Sequence, residues 1–220
     1  NTATASLDVT STSGSFASSS TAEKASFTLK TNNATGYTLK LKTSGSTTTL
    51  VDSSNTNTSN NSLSSITSTV SQTNFSAASG TTYNNKWGLM PSKYNGSSNT
   101  TNFYPASSTG FTMDTTSSAN STANSYSVGI GIRADYSRPA GTYVNDTLVA
   151  QYVANPITYA IYYYSNTTAT VSGMPSTNPQ TGSVTEGTTS TSVNLAAAPT
   201  RTGYTFIGWC LGASGTASGI

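Results

Sequence analysis

Few residues in this chain could do chemistry, and their types exclude most catalytic arrangements. The sequence has no histidine, seven acidic residues and one cysteine, Cys210. Without histidine the chain lacks the Ser-His-Asp and Cys-His arrangements and the commonest general base. Glycoside hydrolysis would need two carboxylates facing each other at about 5 to 9 Å across a cleft. We interpret the acids as solvated turn and strand-end groups and predict no catalytic residue and no enzyme. They are Asp8, Glu23, Asp52, Asp114, Asp135, Asp146 and Glu186.

Metal and thiol chemistry are equally poorly supported. Asp135 and Asp146 flank one predicted turn and could bind calcium together with backbone carbonyls, but no Asp-x-Asp-x-Asp spacing accompanies them. We predict no metal and no cofactor. Cys210 has two open interpretations: it forms a disulfide with a cysteine beyond residue 220 or on another subunit, or it is a plain buried thiol. A catalytic role is disfavoured because only Arg201 is near enough in sequence to lower its pKa.

Aromatic and lysine side chains offer two further kinds of site. Trp87 and Tyr94 lie in the segment KWGLMPSKYN. Exposed, they could stack on sugar rings, whereas a tryptophan beside glycine and proline more often seals the end of a β-sandwich. Lys30 and Lys40 could form an isopeptide bond with an asparagine. Both are predicted to point outward from alternating strands, which argues against it.

Strands must position all these residues. Ser and Thr make up about 80 of the 220 residues, while charged residues make up 7% and apolar residues 34%. Thr is β-branched and the good helix formers are scarce, so helices are unfavourable nearly everywhere. The nine cationic residues are scattered and the formal charge is only +2, which argues against nucleic acid. No apolar run approaches the roughly 20 residues of a membrane-spanning helix. We therefore predict an all-β chain without a membrane span.

Apolar and polar residues alternate with period two in several segments, as in strands with one buried face. The first is residues 1–12, with Ala3, Ala5, Leu7 and Val9 on one face. Two further alternating segments, residues 25–30 and 37–42, predict a hairpin with lysines on its wet face. Residues 43–85 predict long loops with a short strand or two.

The second half of the first unit holds the clearest strand signal. Residues 103–123 are loop-like, with Phe111 and Met113 as core contacts. Residues 126–133 alternate strictly, and residues 143–154, which follow a turn at 138–141, are apolar on both faces. A strand apolar on both faces is expected in the middle of a sheet. These patterns predict an antiparallel β-sandwich, immunoglobulin-like or jelly-roll, over residues 1–155.

Asn155-Pro156 is a natural break, after which a second unit spans residues 156–220. It begins with the strong strand segment ITYAIYYY and later contains Leu195 followed by PTRTGYTFIGW. These segments resemble the internalin-type B repeat, also called the Listeria–Bacteroides repeat. The resemblance covers about 65 residues from Pro156 onward. The motif residues are Pro199, Arg201, Gly203, Tyr204, Phe206, Gly208 and Trp209.

The resemblance implies a small β-grasp-like module of the kind found in bacterial surface proteins and adhesins. The family's usual last strand is not evident before the chain stops, so we expect an incomplete repeat. The first 155 residues resemble Ser/Thr-rich secreted surface proteins of bacteria in texture, without a named family. NNATGYTL and AGTYVNDTLVAQYVANP carry that likeness.

Location and modification follow from the same features. The chain begins at Asn1 without a methionine, as expected if a secretion signal had been removed, so we predict an extracellular, cell-surface protein. Asn-x-Ser/Thr sequons would permit glycosylation, although many arise by chance in so polar a chain. The candidate sites are Asn33, Asn95, Asn145 and Asn166.

Two functions from different classes fit these observations. The first is a structural subunit of a bacterial surface fibre or adhesive stalk, self-associating into a homopolymer. Its terminal strand, with Ala3, Ala5, Leu7 and Val9, would complete the sheet of a neighbouring subunit. The alternative is a monomeric carbohydrate-binding adhesin that uses Trp87 and Tyr94 to hold a host or microbial surface glycan or protein.

Overall fold

The computed structural model describes residues 16–19, 24–77, 82–144, 147–165, 167–185 and 192–210. The predicted terminal strand over residues 1–12 lies outside these residues. The structure has 44% of its residues in strands and 3% in helix, which confirms the all-β prediction. The chain divides into two compact units, unit 1 (Asn1–Asn155) and unit 2 (Pro156–Ile220).

The strands of unit 1 are mostly short, and unit 2 contributes two. Unit 1 contains β1 (Phe16–Ser18), β2 (Ala25–Thr31), β3 (Tyr37–Thr43), β4 (Leu50–Val51), β5 (Ser62–Ser65), β6 (Val70–Ser71), α1 (Gln72–Ser76), β7 (Lys86–Pro91), β8 (Lys93–Tyr94), β9 (Ser97–Ser98), β10 (Asn102–Phe103), β11 (Phe111–Thr115), β12 (Asn120–Arg133) and β13 (Leu148–Ala154). Unit 2 contains β14 (Ile157–Ile161) and β15 (Gln180–Val184).

A six-stranded sheet is built around the long strand β12. Its order is β1-β12-β7-β5-β4, and β2 pairs with β12 on the same side as β1. The pairs of β12 with β1, β2 and β7 are antiparallel, whereas β5 and β7 run parallel. Alternation along β12 puts Tyr126, Val128 and Ile132 on one face and Gly129 and Gly131 on the other. The strict period-two pattern of this segment therefore correctly predicted which side chains share a face of β12.

A three-stranded sheet, in the order β11-β3-β13, supplies the opposite layer. The predicted hairpin between residues 25–30 and 37–42 is wrong, because β2 pairs with β12 while β3 pairs with β11 and β13. The turn at residues 138–141 likewise connects strands of different sheets. Consecutive strands of a sandwich often cross between layers, since each can then place its apolar face on the shared core.

The prediction that residues 143–154 lie in the middle of a sheet is not confirmed by the strand pairs of the described residues. In the described structure β13 pairs only with β3 and forms an edge of the three-stranded sheet. Tyr152 is 40% exposed and Val153 42% exposed. Apolar side chains thus lie on both faces of β13, and two of them are partly exposed.

The main core lies between the two sheets. Tyr37, Leu39 and Leu41 of β3 meet Trp87 and Leu89 of β7 and the inward residues of β12. Fully burying a side chain of this size stabilises the fold by about 1.5 to 3 kcal/mol. The Oη atoms of Tyr37 and Tyr126 lie 2.6 Å apart and satisfy each other inside this core.

A second apolar cluster covers the other face of the six-stranded sheet. Phe103 lies over Gly131, where an added Cβ would come within 2.3 Å of its ring, so glycine is required there for close packing. Phe75 of α1 and Met90 complete the cluster. Residues 43–85 thus hold β4, β5, β6 and α1, more structure than predicted. Residues 103–123 were wrongly predicted as loop, because they contain β11 and the start of β12.

Unit 2 holds one hairpin among its described residues, formed by β14 and β15. Tyr163 is 4% exposed, and its backbone N–H donates to Asn178 Oδ1 at 3.0 Å. The ring of Trp209 packs edge-on against Tyr163 with centroids 4.7 Å apart. Its Nε1 donates to the carbonyl oxygen of Ala196 at 2.9 Å. These aromatic contacts form a small core among the described residues of unit 2.

Candidate assembly site at the edge strands

Trp87, proposed from the sequence as a ligand or end-cap residue, lies in the core of unit 1. It is 2% exposed, and its Nε1 donates to the carbonyl oxygen of Thr48 at 2.9 Å. The strand β7 turns its side chain inward beside Leu89. A sugar therefore has no access to its ring in this structure.

Tyr94, the second aromatic residue of that proposal, is half-buried in a stack of rings. Its ring lies on that of Tyr104 with centroids 3.9 Å apart and an angle of 14°. Phe111 adds a third ring, 5.5 Å from Tyr94. The structure shows no ring contact between Tyr94 and Trp87 among its described residues, so the two do not form a shared platform.

Asp114 is a buried acid inside unit 1. Its carboxylate is 4% exposed and accepts from Lys93 Nζ at 2.7 Å. The same oxygen accepts from Tyr126 Oη at 2.7 Å. Burial first, and then the hydrogen bonds to Tyr37 and Asp114, raise the pKa of Tyr126 above its ordinary value. Lys93 thus neutralises the charge of Asp114, and the hydrogen-bonded network connects β8, β11 and β12.

The other described acids hold turns. Asp52 Oδ1 accepts from the backbone N–H of Ser54 at 3.0 Å. Asp135 Oδ1 does the same for Ser137 at 2.9 Å, and the hydroxyl of Ser137 is the main cause that lowers the pKa of Asp135. No group of three or more His, Cys, Asp or Glu residues capable of holding a metal occurs within the described ranges. Asp8, Glu23, Asp146 and Glu186 lie outside them.

The sequons fall in different environments. Asn33 is 3% exposed, and its Nδ2 donates to the carbonyl oxygens of Gly36 and Asn155, each at 2.8 Å. Both amide hydrogens are used inside the fold, so Asn33 does not present its side chain for a glycan. Asn95 is exposed in the turn between β8 and β9, at φ 48°. Asn145 and Asn166 lie outside the described residues.

The motif residues of unit 2 form local pairs. The guanidinium of Arg201 lies 4.0 Å from the centroid of Tyr204, and Phe206 lies 5.2 Å from Trp209. Pro199 is buried, whereas Tyr204 is 67% exposed. Gly203 and Gly208 have φ 79° and 152°, values that favour glycine. Cys210, the next residue after Trp209, is exposed and has no disulfide partner among the described residues.

The feature that sequence reasoning missed is the position of β13. We call the side of β13 away from β3 the open edge; no described strand pairs with it. Ala150 and Tyr152 face the core side, because they are in register with Leu41 and Leu39, yet both are exposed. Pro156, two residues after the end of β13, was the sequence signal for an edge strand, because proline cannot donate to the hydrogen bonds of a central strand.

Strand β2 approaches β13 at one point. Thr31 Oγ1 and Tyr152 Oη lie 3.1 Å apart, and the Tyr152 ring lies 5.6 Å from that of Tyr37. Phe27 and Leu29 of β2 pack against the core but are only partly buried. Side chains on the outermost strands of the two described sheets, β2 and β13, are thus more exposed than those in the centre of the core.

The open edge lacks the usual protection against strand pairing. Leu148–Ala154 (LVAQYVA) contains no charge and no proline, and its register with β3 is regular. Edge strands of monomeric proteins generally carry charges, prolines or bulges that prevent pairing with another chain. An unprotected, uncharged edge of seven residues is a ready template for one more strand.

No family model matches this chain, and neither a curated protein nor a solved structure matches it. The resemblance of unit 2 to the B repeat therefore stays a prediction from its sequence motif. Within the described residues, no helix has the length and apolar character needed to cross a membrane.

Proposed function

We propose that this chain is a structural subunit of an extracellular bacterial surface fibre or adhesive stalk, and that it self-associates by β-strand addition. The observation that carries the proposal is the composition of β13, whose seven residues include no charge and no proline and carry partly exposed apolar side chains on both faces. A strand of this composition lacks the features that usually prevent pairing with a strand of another chain.

The rest of the molecule is suited to a passive mechanical role. Strands hold 44% of its residues, and its sequence is rich in hydroxyl side chains with few charges. Asn155 reinforces the end of unit 1, because its Nδ2 donates to the carbonyl oxygens of Thr35 at 2.9 Å and Thr116 at 2.7 Å. The resemblance of unit 2 to a repeat of bacterial surface proteins supports the proposed location.

A lysine at the open edge provides the test. Ala150→Lys in the full chain places a charge on the core-facing side of an exposed edge position, where an added strand would have to bury it. Thr115→Lys is the matched control, because Thr115 is exposed on the other edge strand of the same sheet. We expect filaments by electron microscopy for the parent chain and the control, and single particles for Ala150→Lys.

Single particles of the parent chain at every concentration would refute the proposal. Filaments of Ala150→Lys equal to those of the control would refute the open edge as the contact. Circular dichroism of each variant shows that any loss of filaments does not come from unfolding.

One observation favours carbohydrate binding as a second candidate function. Tyr162 and Tyr164 are 58% and 57% exposed, and their rings lie at 19° to each other with centroids 6.4 Å apart. Two nearly parallel exposed rings offer an apolar surface on which a sugar ring can pack. This surface lies in unit 2 and replaces Trp87 and Tyr94 as the place to look.

A glycan array of the full chain tests this second candidate. A Tyr162→Ala, Tyr164→Ala double variant should lose any sugar signal. Tyr136→Ala is the control, because Tyr136 is 80% exposed but has no stacked neighbour among the described rings. No signal from the parent chain, or a signal unchanged in the double variant, would contradict it.

A further inference from the structure

We infer that Asn155, the last residue of unit 1, is a mechanical clamp that keeps β13 in place when the chain is pulled through unit 2. The inference rests on the proposed function for the source of the tension, because a surface fibre or stalk is under load. The Asn155 clamp consists of Asn155 and the residues that bond to it, which are Asn33, Thr35, Gly36, Thr38 and Thr116.

The backbone of Asn155 is held by the loop between β2 and β3. Its N–H donates to the carbonyl oxygen of Gly36 at 3.0 Å. Its own carbonyl oxygen accepts from Asn33 Nδ2 and from Thr35 Oγ1, each at 2.8 Å. This carbonyl group belongs to the peptide bond that joins Asn155 to Pro156. The loop therefore grips the chain at the peptide bond through which tension from unit 2 arrives.

The side chain of Asn155 extends the grip to other parts of unit 1. Its Oδ1 accepts from Thr38 Oγ1 of β3 at 3.0 Å. Its Nδ2 donates to the carbonyl oxygen of Thr35 at 2.9 Å and to that of Thr116 at 2.7 Å. An asparagine amide carries two N–H groups, and both are used here. Because Thr116 lies between β11 and β12, this amide connects the end of β13 to the chain that enters the six-stranded sheet.

A glycine lets the parts of the Asn155 clamp come close together. Gly36 has φ 76°, and a Cβ added to it would lie 2.3 Å from the carbonyl oxygen of Thr116. The backbone N–H of Thr116 donates to the carbonyl oxygen of Tyr37 at 2.9 Å. The N–H of Tyr37 donates in return to Thr116 Oγ1 at 3.1 Å. Thr116 is thus bonded both to the first residue of β3 and to Asn155.

Tension across unit 1 acts along β13. The first described strand, β1, pairs with the Arg133 end of β12. Asn155 lies near the other end of β12, because its partner Thr116 comes shortly before Asn120, where β12 begins. Strand β13 runs toward Asn155, so tension between these two ends pulls it lengthwise against β3. The hydrogen bonds of an antiparallel pair are perpendicular to the strands, so a lengthwise pull loads them together. The Asn155 clamp holds the end of β13 at which this load arrives.

Single-molecule force measurements on the full chain test this role. Asn155→Asp keeps the shape of the side chain, but a carboxylate cannot donate to the two carbonyl oxygens that the amide bonds. Asn99→Asp is the matched control, because Asn99 is 8% exposed and its Nδ2 also donates to two carbonyl oxygens, those of Pro91 at 2.8 Å and Asn102 at 2.9 Å. It lies between β9 and β10, neither of which pairs with β13 in the described structure.

Each variant is pulled from its N-terminus in two geometries, with Cys210→Ser as the background. In the first geometry the second handle is at the C-terminus, so tension leaves unit 1 through Asn155. In the second geometry the handle is on Ser98→Cys, an exposed position directly before Asn99, so tension bypasses Asn155. The measured quantity is the lifetime of folded unit 1 at constant force, because forced unfolding follows the unfolding rate.

With the C-terminal handle, we expect the lifetime of Asn155→Asp to be about tenfold shorter than that of Asn99→Asp, because two hydrogen bonds are lost where the load arrives. With the handle at residue 98, the order of the two variants should reverse. Equal shortening by Asn155→Asp in both geometries would overturn the inference, because Asn155 would then only stabilise the fold. A lifetime no shorter than that of Asn99→Asp with the C-terminal handle would overturn it as well.

A milder variant keeps the test decisive if Asn155→Asp does not fold. Thr38→Val preserves the shape of that side chain and removes the donor to Asn155 Oδ1. It should shorten the lifetime with the C-terminal handle but not with the handle at residue 98, and equal effects in both geometries would overturn the clamp. Single chains are pulled, so the result does not depend on filaments. A parent chain without filaments refutes the proposed function, whereas the lifetimes alone decide the clamp.

Discussion

The two edges of the three-stranded sheet differ sharply, although they flank the same central strand β3. Strand β11 has a bulge between Thr112 and Asp114 and receives backbone hydrogen bonds from Asn95 and Gly96 in the β8–β9 turn. Strand β13 has a regular register and no described neighbour on its outer side. Among the described residues, the β11 edge is covered by the β8–β9 turn, whereas no described strand pairs with the outer side of β13.

The closed edge depends on a charge that is buried and fully engaged. Asp114 accepts from Lys93, from Tyr126 and from the backbone N–H of Thr115 at 3.0 Å. At β13, the hydroxyl groups of Tyr152 and Thr31 lie 3.1 Å apart and connect this strand to β2. The difference teaches that a buried polar network lies at the β11 edge, which the β8–β9 turn covers. In our proposal, the strand at the other edge of the same sheet is the one that receives a strand from another chain.

The largest effect is expected at the closed edge. Asp114→Ala leaves the Tyr126 hydroxyl and a partly buried lysine without their acceptor, and removing one partner of a buried ion pair costs about 3 kcal/mol. We expect the free energy of unfolding in urea to fall by about that amount. Asp135→Asn is the control, because that carboxylate holds an exposed turn. A loss no larger than that of the control would show that the network is dispensable.

The next effect is a pH dependence that originates in the same network. Because the pKa of Tyr126 is raised in the folded state, its contribution to stability is present below the unfolded value of 10.0 and is lost as the pH rises above it. Unfolding free energy should therefore fall from pH 9 to pH 11, measured with urea at each pH. Tyr104 and Tyr143 are shifted in the same direction and add to the fall. A Tyr126→Phe variant with an equally steep fall would contradict this assignment.

A smaller effect is expected at the contact between the two sheets near the open edge. Tyr152→Phe removes the hydroxyl that lies beside Thr31 and keeps the ring against Tyr37. We expect a loss of about 1 kcal/mol in unfolding free energy, the usual net contribution of one hydrogen bond. A loss as large as that of Asp114→Ala would mean that the open edge is as firmly held as the closed one.

The smallest effect is expected for the edge lysine itself. Ala150→Lys alters an exposed side chain, so the unfolding free energy of the dispersed chain should change by no more than about 0.5 kcal/mol. The same variant is expected to abolish filaments. A large destabilisation in urea would show that Ala150 belongs to the fold rather than to an assembly surface.

The sequence correctly indicated which residues share a face of a strand. It did not indicate which strands are neighbours in a sheet. Alternation located β2, β3 and β12, because period two reports which residues share a face. It could not say that β2 and β3 belong to different sheets, since strand pairing is set by contacts between distant residues. For the same reason, apolar residues on both faces of β13 suggested a central strand, although β3 is its one neighbour among the described strands.

The site residues show the same limit. Lys93 and Asp114 are 21 positions apart and meet only because β8 packs beside β11, so no local pattern could announce the pair. Trp87 was open to two interpretations because its burial depends on the opposite sheet. The segment Phe111–Thr115 was read as loop because serine, threonine and glycine surround a short alternating run.

The most direct test of the central claim is amide hydrogen exchange on the full chain, compared between the dispersed and the assembled state. The account predicts that amides of β13 exchange faster than those of β11 in the dispersed chain. On assembly, only those of β13 should slow markedly. Unchanged exchange along residues 148–154 in assembled material would contradict the claim that this edge receives a strand.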